Sequence, residues 1–148
     1  MATIVGFTDV FEDLILKHVF TTTGLTMPDA TNLWVGLSSA TPTEETGTLN
    51  GITEPTFAVS AYARIAVARA TGWTVSATAP TQVVNAADIE FAVCAGSNYP
   101  ANITYICIFD DTLALSGRCI AAASCTSTAV TVGQQVKILA GTLKLTLT

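Results

Sequence analysis

His18 is the one histidine of the chain, and so the one imidazole that could activate a serine or cysteine nucleophile. It stands within DVFEDLILKHVF, and no GxSxG or comparable nucleophile context accompanies it. A basic group near the C-terminal end of a helix is favoured by the helix dipole, which accounts for His18 without catalysis. Paired carboxylates could instead serve glycoside hydrolysis, and three pairs occur: Glu44/Glu45, Asp88/Glu90 and Asp110/Asp111. The first lies in a polar loop. The second falls on one face of a strand open to water. The third follows an apolar run as a turn does. Each reads as solvated or turn-forming, so no catalytic residue is assigned and no enzyme is expected.

Cys94, Cys107, Cys119 and Cys125 include no CxxC pair, and zinc sites are built from closely spaced Cys or His pairs. They read as small buried hydrophobes kept reduced, although an even number leaves disulfides open. No metal is expected, and with no phosphate-cradling glycine loop no cofactor is expected either. Arg64 sits between Tyr62 and Ile65 in an otherwise apolar strand. A guanidinium in that setting needs a carboxylate or carbonyl, and an ion pair within the subunit is favoured over one between subunits. Asn102-Ile103-Thr104 matches a glycosylation sequon. No export is expected, because Asp9, Glu12 and Asp13 stand where a signal peptide would be apolar.

The elements that must position these groups follow from periodicity. Val10, Phe11, Leu14, Ile15 and Val19 recur at spacings of three and four, which predicts a helix over 9–20. Asp9 and Glu12 suit a capping box, and TTTG ends the helix at Gly24. The rest reads as strands, rich in β-branched residues and divided by Gly, Pro, Asn and Asp. They are placed at 32–38, 62–70, 73–77, 88–93, 103–109, 117–123, 129–132, 135–139 and 142–147. In the last, Leu143, Leu145 and Leu147 share one face and Thr142, Lys144 and Thr146 the other. The expected fold is all-β: an antiparallel β-sandwich or jelly roll with one short N-terminal amphipathic helix, forming a single domain over 1–148 in which 1–24 is an arm and helix. The polar stretch 40–56 is long for a loop of so small a domain, which marks it as a contact element. The arm Met1–Gly6 is the other candidate for docking. Trp34 and Trp73 read as strand-borne and buried, leaving Tyr99 as the loop aromatic.

The chain has 148 residues, with 11 acidic and 6 basic side chains and a net charge of −5. Its isoelectric point is near 4.5 and its mean hydropathy +0.53. Charged residues make up 11%, against about 25% in an average soluble domain. A surface so poor in charge favours burial against other subunits. Nucleic acid is disfavoured as a partner, because that affinity rests on Lys and Arg. Anionic membranes are disfavoured likewise, and no apolar stretch reaches the roughly 20 residues of a spanning helix.

The order of these segments resembles a known family. FEDLILKHVF leads to NLWVGLSSATPT, then ITEPTFAVSAYARIAV, Trp73, DIEFAV, TYICIFD and a closing VTVGQQVKILAGTLKLTLT. The succession is similar to small tailed-bacteriophage virion proteins, often labelled tail-fibre-like and in some phages capsid cement or decoration proteins. The best markers are LWVGLS, EP followed by YARIAV, IFD before a turn, and the terminal AGTLKLTL. The resemblance implies a non-enzymatic β-sandwich subunit, homotrimeric, that docks on a larger phage shell or tail. Foremost is a cement protein bound to the major capsid protein lattice on the outer surface of the virion, after synthesis in the host cytoplasm. The alternative is a tail-fibre or tail-tip component contacting the host surface.

Overall fold

The computed structural model of the protein describes residues 2–5, 9–21, 31–42, 52–55, 60–76, 82–111 and 119–146. In chain order these form β1 (Ala2–Val5), α1 (Asp9–Phe20), β2 (Asn32–Ser38), β3 (Ile65–Ala68), β4 (Trp73–Ser76), β5 (Gln82–Asn85), β6 (Ile89–Glu90), β7 (Ile103–Phe109), β8 (Cys119–Thr128), β9 (Lys137–Ile138) and β10 (Leu143–Thr146). One four-stranded sheet has the order β1-β10-β5-β4 and a second β3-β2-β7-β8, while β6 and β9 form a ribbon. Pairing is antiparallel throughout except for β1 on β10. The expected all-β sandwich with a single helix is the fold observed.

The core joins all three sheets. Val35 and Leu37 of β2, Ile106 and Ile108 of β7 and Ala121 and Ala123 of β8 meet Leu143 of β10 and Ile89 and Ile138 of the ribbon. These residues alternate along their strands, as the two-residue period requires when one face is buried. The opposite face of the second sheet is also covered: Cys107 and Phe109 are fully buried yet stand apart from the main cluster.

Several boundaries differ from the sequence reading. The segment Met1–Gly6, read as an arm, contains a strand: Ala2–Val5 extends the first sheet as β1, Ala2 opposite Leu143 and Val5 opposite Thr146. Its run of Thr, Ile and Val suits a strand. The strand expected over 62–70 begins only at Ile65, since Ala61 takes a left-handed conformation with φ of 57° and turns the chain just before Tyr62. Gln82–Asn85 forms a strand that its two valines were too few to mark. Residues 129–132 make no strand. They are held by single bonds, Tyr99 N–H to the Val130 carbonyl and Val132 N–H to Asn98 Oδ1.

The helix has the boundaries expected, with Lys17 and His18 in its last turn. Of the apolar stripe, Ile15 is half-buried, but Val19 is 63% exposed beside exposed Leu16 and Phe20. The stripe is therefore not covered at its C-terminal end, where the last turn points outward. The side chains of Val10, Phe11 and Leu14 lie outside the described residues. None of the described helices is long and apolar enough to cross a membrane.

Candidate functional site

β3 pairs with β2 only over Asn32–Val35, so beyond Val35 the edge of β2 needs other partners. The segment 52–55 supplies them. Ser39 N–H donates to the Thr53 carbonyl at 2.9 Å, and Thr53 N–H donates to Ser38 Oγ at 3.1 Å. Tyr62 supplies the other, its hydroxyl accepting from Leu37 N–H at 2.9 Å. The same hydroxyl donates to Glu54 Oε1 at 2.6 Å. Thus one strand edge, left open by a short neighbour, organises a buried polar centre.

Arg64 completes that centre. Its Nη2 lies 2.7 Å from Glu54 Oε2, Nε lies 3.0 Å from Oε1, and Nη1 donates to the Asp111 carbonyl at 2.9 Å. The two side chains are 2% and 10% exposed. Fork-to-fork pairing satisfies both carboxylate oxygens and fixes the plane of the guanidinium, which lies over the Phe109 ring. Tyr62 also stacks on Phe91, with ring centroids 5.9 Å apart, and meets Tyr99 edge-on. Burial, reinforced by the neighbouring Glu54 carboxylate, pushes the Tyr62 hydroxyl far above the ordinary tyrosine range. The neutral hydroxyl donates to Glu54.

Gly36 makes room for all this. A Cβ there would stand 2.8 Å from Glu54 Oε1, 2.8 Å from Phe109 Cε2 and 2.9 Å from the Tyr62 hydroxyl. Sequence reasoning missed its role, though a glycine inside a strand of large apolar residues signals close approach by another group. The ion pair of Arg64 within the subunit is as expected. Its partner, Glu54, comes from the 40–56 stretch expected to make contacts; Glu54 and Pro55 pack into the subunit while Thr53 beside them is exposed. Glu44 and Glu45 lie outside the described residues.

The other candidates are dispersed. Asp88 and Glu90 are exposed, and each pairs with Lys137 Nζ at 2.7 Å across the β6–β9 ribbon. The Lys137 ammonium and a bond from Ala140 N–H hold the Asp88 carboxyl below its usual range. Asp110 is fully buried rather than solvated, because it directly follows Phe109 where β7 ends inside the protein. His18 is exposed on α1. None of the four cysteines is in a disulfide, and Cys94 and Cys107 are buried. A hydrogen bond with Cys119, then burial, pushes the Cys107 thiol above its ordinary range. Tyr99 is 6% exposed and belongs to the core, so the aromatic expected on a loop is packed inward. The Asn102 side chain donates to Ser127 Oγ at 3.1 Å. No group of His, Cys, Asp and Glu able to hold a metal ion occurs among the described residues.

Gly36 comes from LWVGLS, Glu54 from EP, Tyr62 and Arg64 from YAR, and Phe109 from IFD. These segments are far apart in the chain and form one buried centre. Residues 6–146 match the family of Podophage GP4 fiber I protein gp80. The chain belongs to this family. Membership makes it a bacteriophage virion structural protein of the tail-fibre-like class. No curated protein matches the chain. Within the Gp80 fold of this chain, the segments that carried the resemblance fasten one sheet edge.

Proposed function

We propose that the chain is a non-enzymatic, homotrimeric structural subunit of a phage fibre, seated on the tail rather than on the capsid. The family description, a podophage fibre protein, supports the fibre part of this reading, with the capsid cement role implied by the sequence resemblance as the alternative. The buried centre supports the non-enzymatic part. Both oxygens of Glu54 are engaged by Arg64 and Tyr62, and Asp88 and Glu90 share Lys137, so these acids are occupied in holding strands together.

Copy number in purified virions, measured by quantitative mass spectrometry against the major capsid protein, tests the location. A small number of copies is expected for a fibre. A number comparable with the major capsid protein would overturn the fibre reading in favour of a cement protein covering the shell.

A further inference from the structure

If the β7–β8 ladder ran unbroken, Cys119 would stand opposite Asp110, and Cys107 and Cys119 would lie on opposite faces of the sheet. The ladder is broken. Ile108 pairs with Ala121 but Phe109 pairs with Cys119, so Ile120 is an extra residue bulged into β8. Ile120 and Ala121 consequently both join the core cluster, and Cys119 turns to the face that holds Phe109 and, two residues along β7, Cys107. There the Cys107 and Cys119 thiols are hydrogen-bonded to one another. Cys107 is fully buried and Cys119 half-buried, so Cys119 is the more accessible of the two. The other cysteines lie on the core side, Cys94 within the core cluster and Cys125 packed against it.

We propose that Cys107 and Cys119 form a dithiol site that a low-molecular-weight disulfide, such as glutathione disulfide, converts into a cross-link fastening β8 to β7. A disulfide needs side chains that converge, and thiols already in hydrogen-bond contact meet that condition. The Cys119 thiolate attacks one sulfur of glutathione disulfide, forming a mixed disulfide and releasing a glutathione thiolate. Cys107 then loses its proton and attacks the Cys119 sulfur, which breaks the mixed disulfide and releases the second glutathione. Two electrons pass to the reagent, and the two thiol protons end on two reduced glutathiones. The bond with Cys119, then burial, holds the Cys107 thiol protonated, so Cys119 is the entry point. The cross-link closes the chain from 107 to 119 and restricts the unfolded state. It also pins β7 where Cys107 stands opposite Gly36, beside the buried Glu54–Arg64 pair. A virion protein meets both conditions, reducing during assembly inside the cell and oxidising after release. The inference holds for tail or shell alike.

The test incubates the purified full-length chain with glutathione disulfide, quenches it with acid, then unfolds and alkylates it. Mass spectrometry should find two labels in place of the four that the reduced chain accepts, and a linked peptide pair holding Cys107 and Cys119. The oxidised chain should melt several degrees above the reduced one, and dithiothreitol should reverse the gain. Four labels after prolonged incubation, a link to Cys94 or Cys125, glutathione left on Cys119, or a linked chain that melts no higher would each overturn the proposal. These readings need no variant. Cys119→Ser, at the half-buried position, should abolish the link, and a disulfide formed in that variant at the natural yield would equally overturn it. None of these outcomes bears on virion copy number, which tests the fibre separately.

Discussion

The guanidinium carbon of Arg64 lies 3.5 Å from the centroid of the Phe109 ring while its nitrogens hold Glu54. Phe109 sits opposite Trp34 in the β2–β7 ladder, and Gly36, two residues along β2, leaves open the space that Glu54 enters. Charge, ring and missing side chain thus act as one unit. Buried ion pairs contribute little net stability against an apolar replacement, but breaking one strands a charge.

Arg64→Leu should therefore lower the unfolding free energy by about 3–5 kcal/mol, because Glu54 is left buried without its cation. Adding Glu54→Gln should recover part of that loss. Urea titrations of the natural chain, both single variants and the double variant measure the coupling. Simple additivity would contradict the arrangement described.

Gly36→Ala should cost about 1–3 kcal/mol despite adding a single methyl, since the new carbon would overlap Glu54, Phe109 and Tyr62. The same substitution at Gly133, where an added Cβ meets nothing within 4 Å but φ is +88°, tests backbone strain without crowding. Gly36→Ala should additionally weaken hydrogen-exchange protection at Leu37 N–H, and Gly133→Ala should leave that amide unchanged.

Tyr62 links the centre to alkaline pH. Its ordinary value is 10.0 and its folded value is much higher, so the neutral hydroxyl is favoured by folding. That contribution is complete below pH 10 and is lost as the pH rises above it, where the unfolded chain ionises and the folded chain does not. Tyr62→Phe should lower stability at neutral pH by about 1–3 kcal/mol, leaving Leu37 N–H and Glu54 each short of a partner. It should also flatten the fall in stability above pH 10. A parallel fall in both proteins would exclude Tyr62 as its source.

Among the described residues, Asp88 responds at the acid end. Its folded value lies below the ordinary 3.8, so its contribution is present above that value and disappears as the pH falls through the folded one. Protection of Ala140 N–H, which donates to Asp88 Oδ1, should decline over that interval. Lys137→Met should move the decline to higher pH. An unchanged Ala140 profile in that variant would show that Lys137 does not set the Asp88 titration.

Periodicity and composition alone determined the helix at Asp9–Phe20, the strands Asn32–Ser38 and Ile103–Phe109, the all-β class and a surface poor in charge, because these depend on neighbouring residues or on sums over the chain. Arg64 was legible as a buried cation needing an anion, since its neighbours are apolar. That the anion is Glu54 was not, for a carboxylate in a polar stretch shows no sign of burial until β3 stops short and leaves the β2 edge open to residues 52–55. Nor could the sequence tell that Tyr99 packs against Tyr62 or that Ala2–Val5 joins β10 in parallel. Each depends on contacts between distant segments, and local spacing carries no record of which strand edges remain free once the sheets have paired.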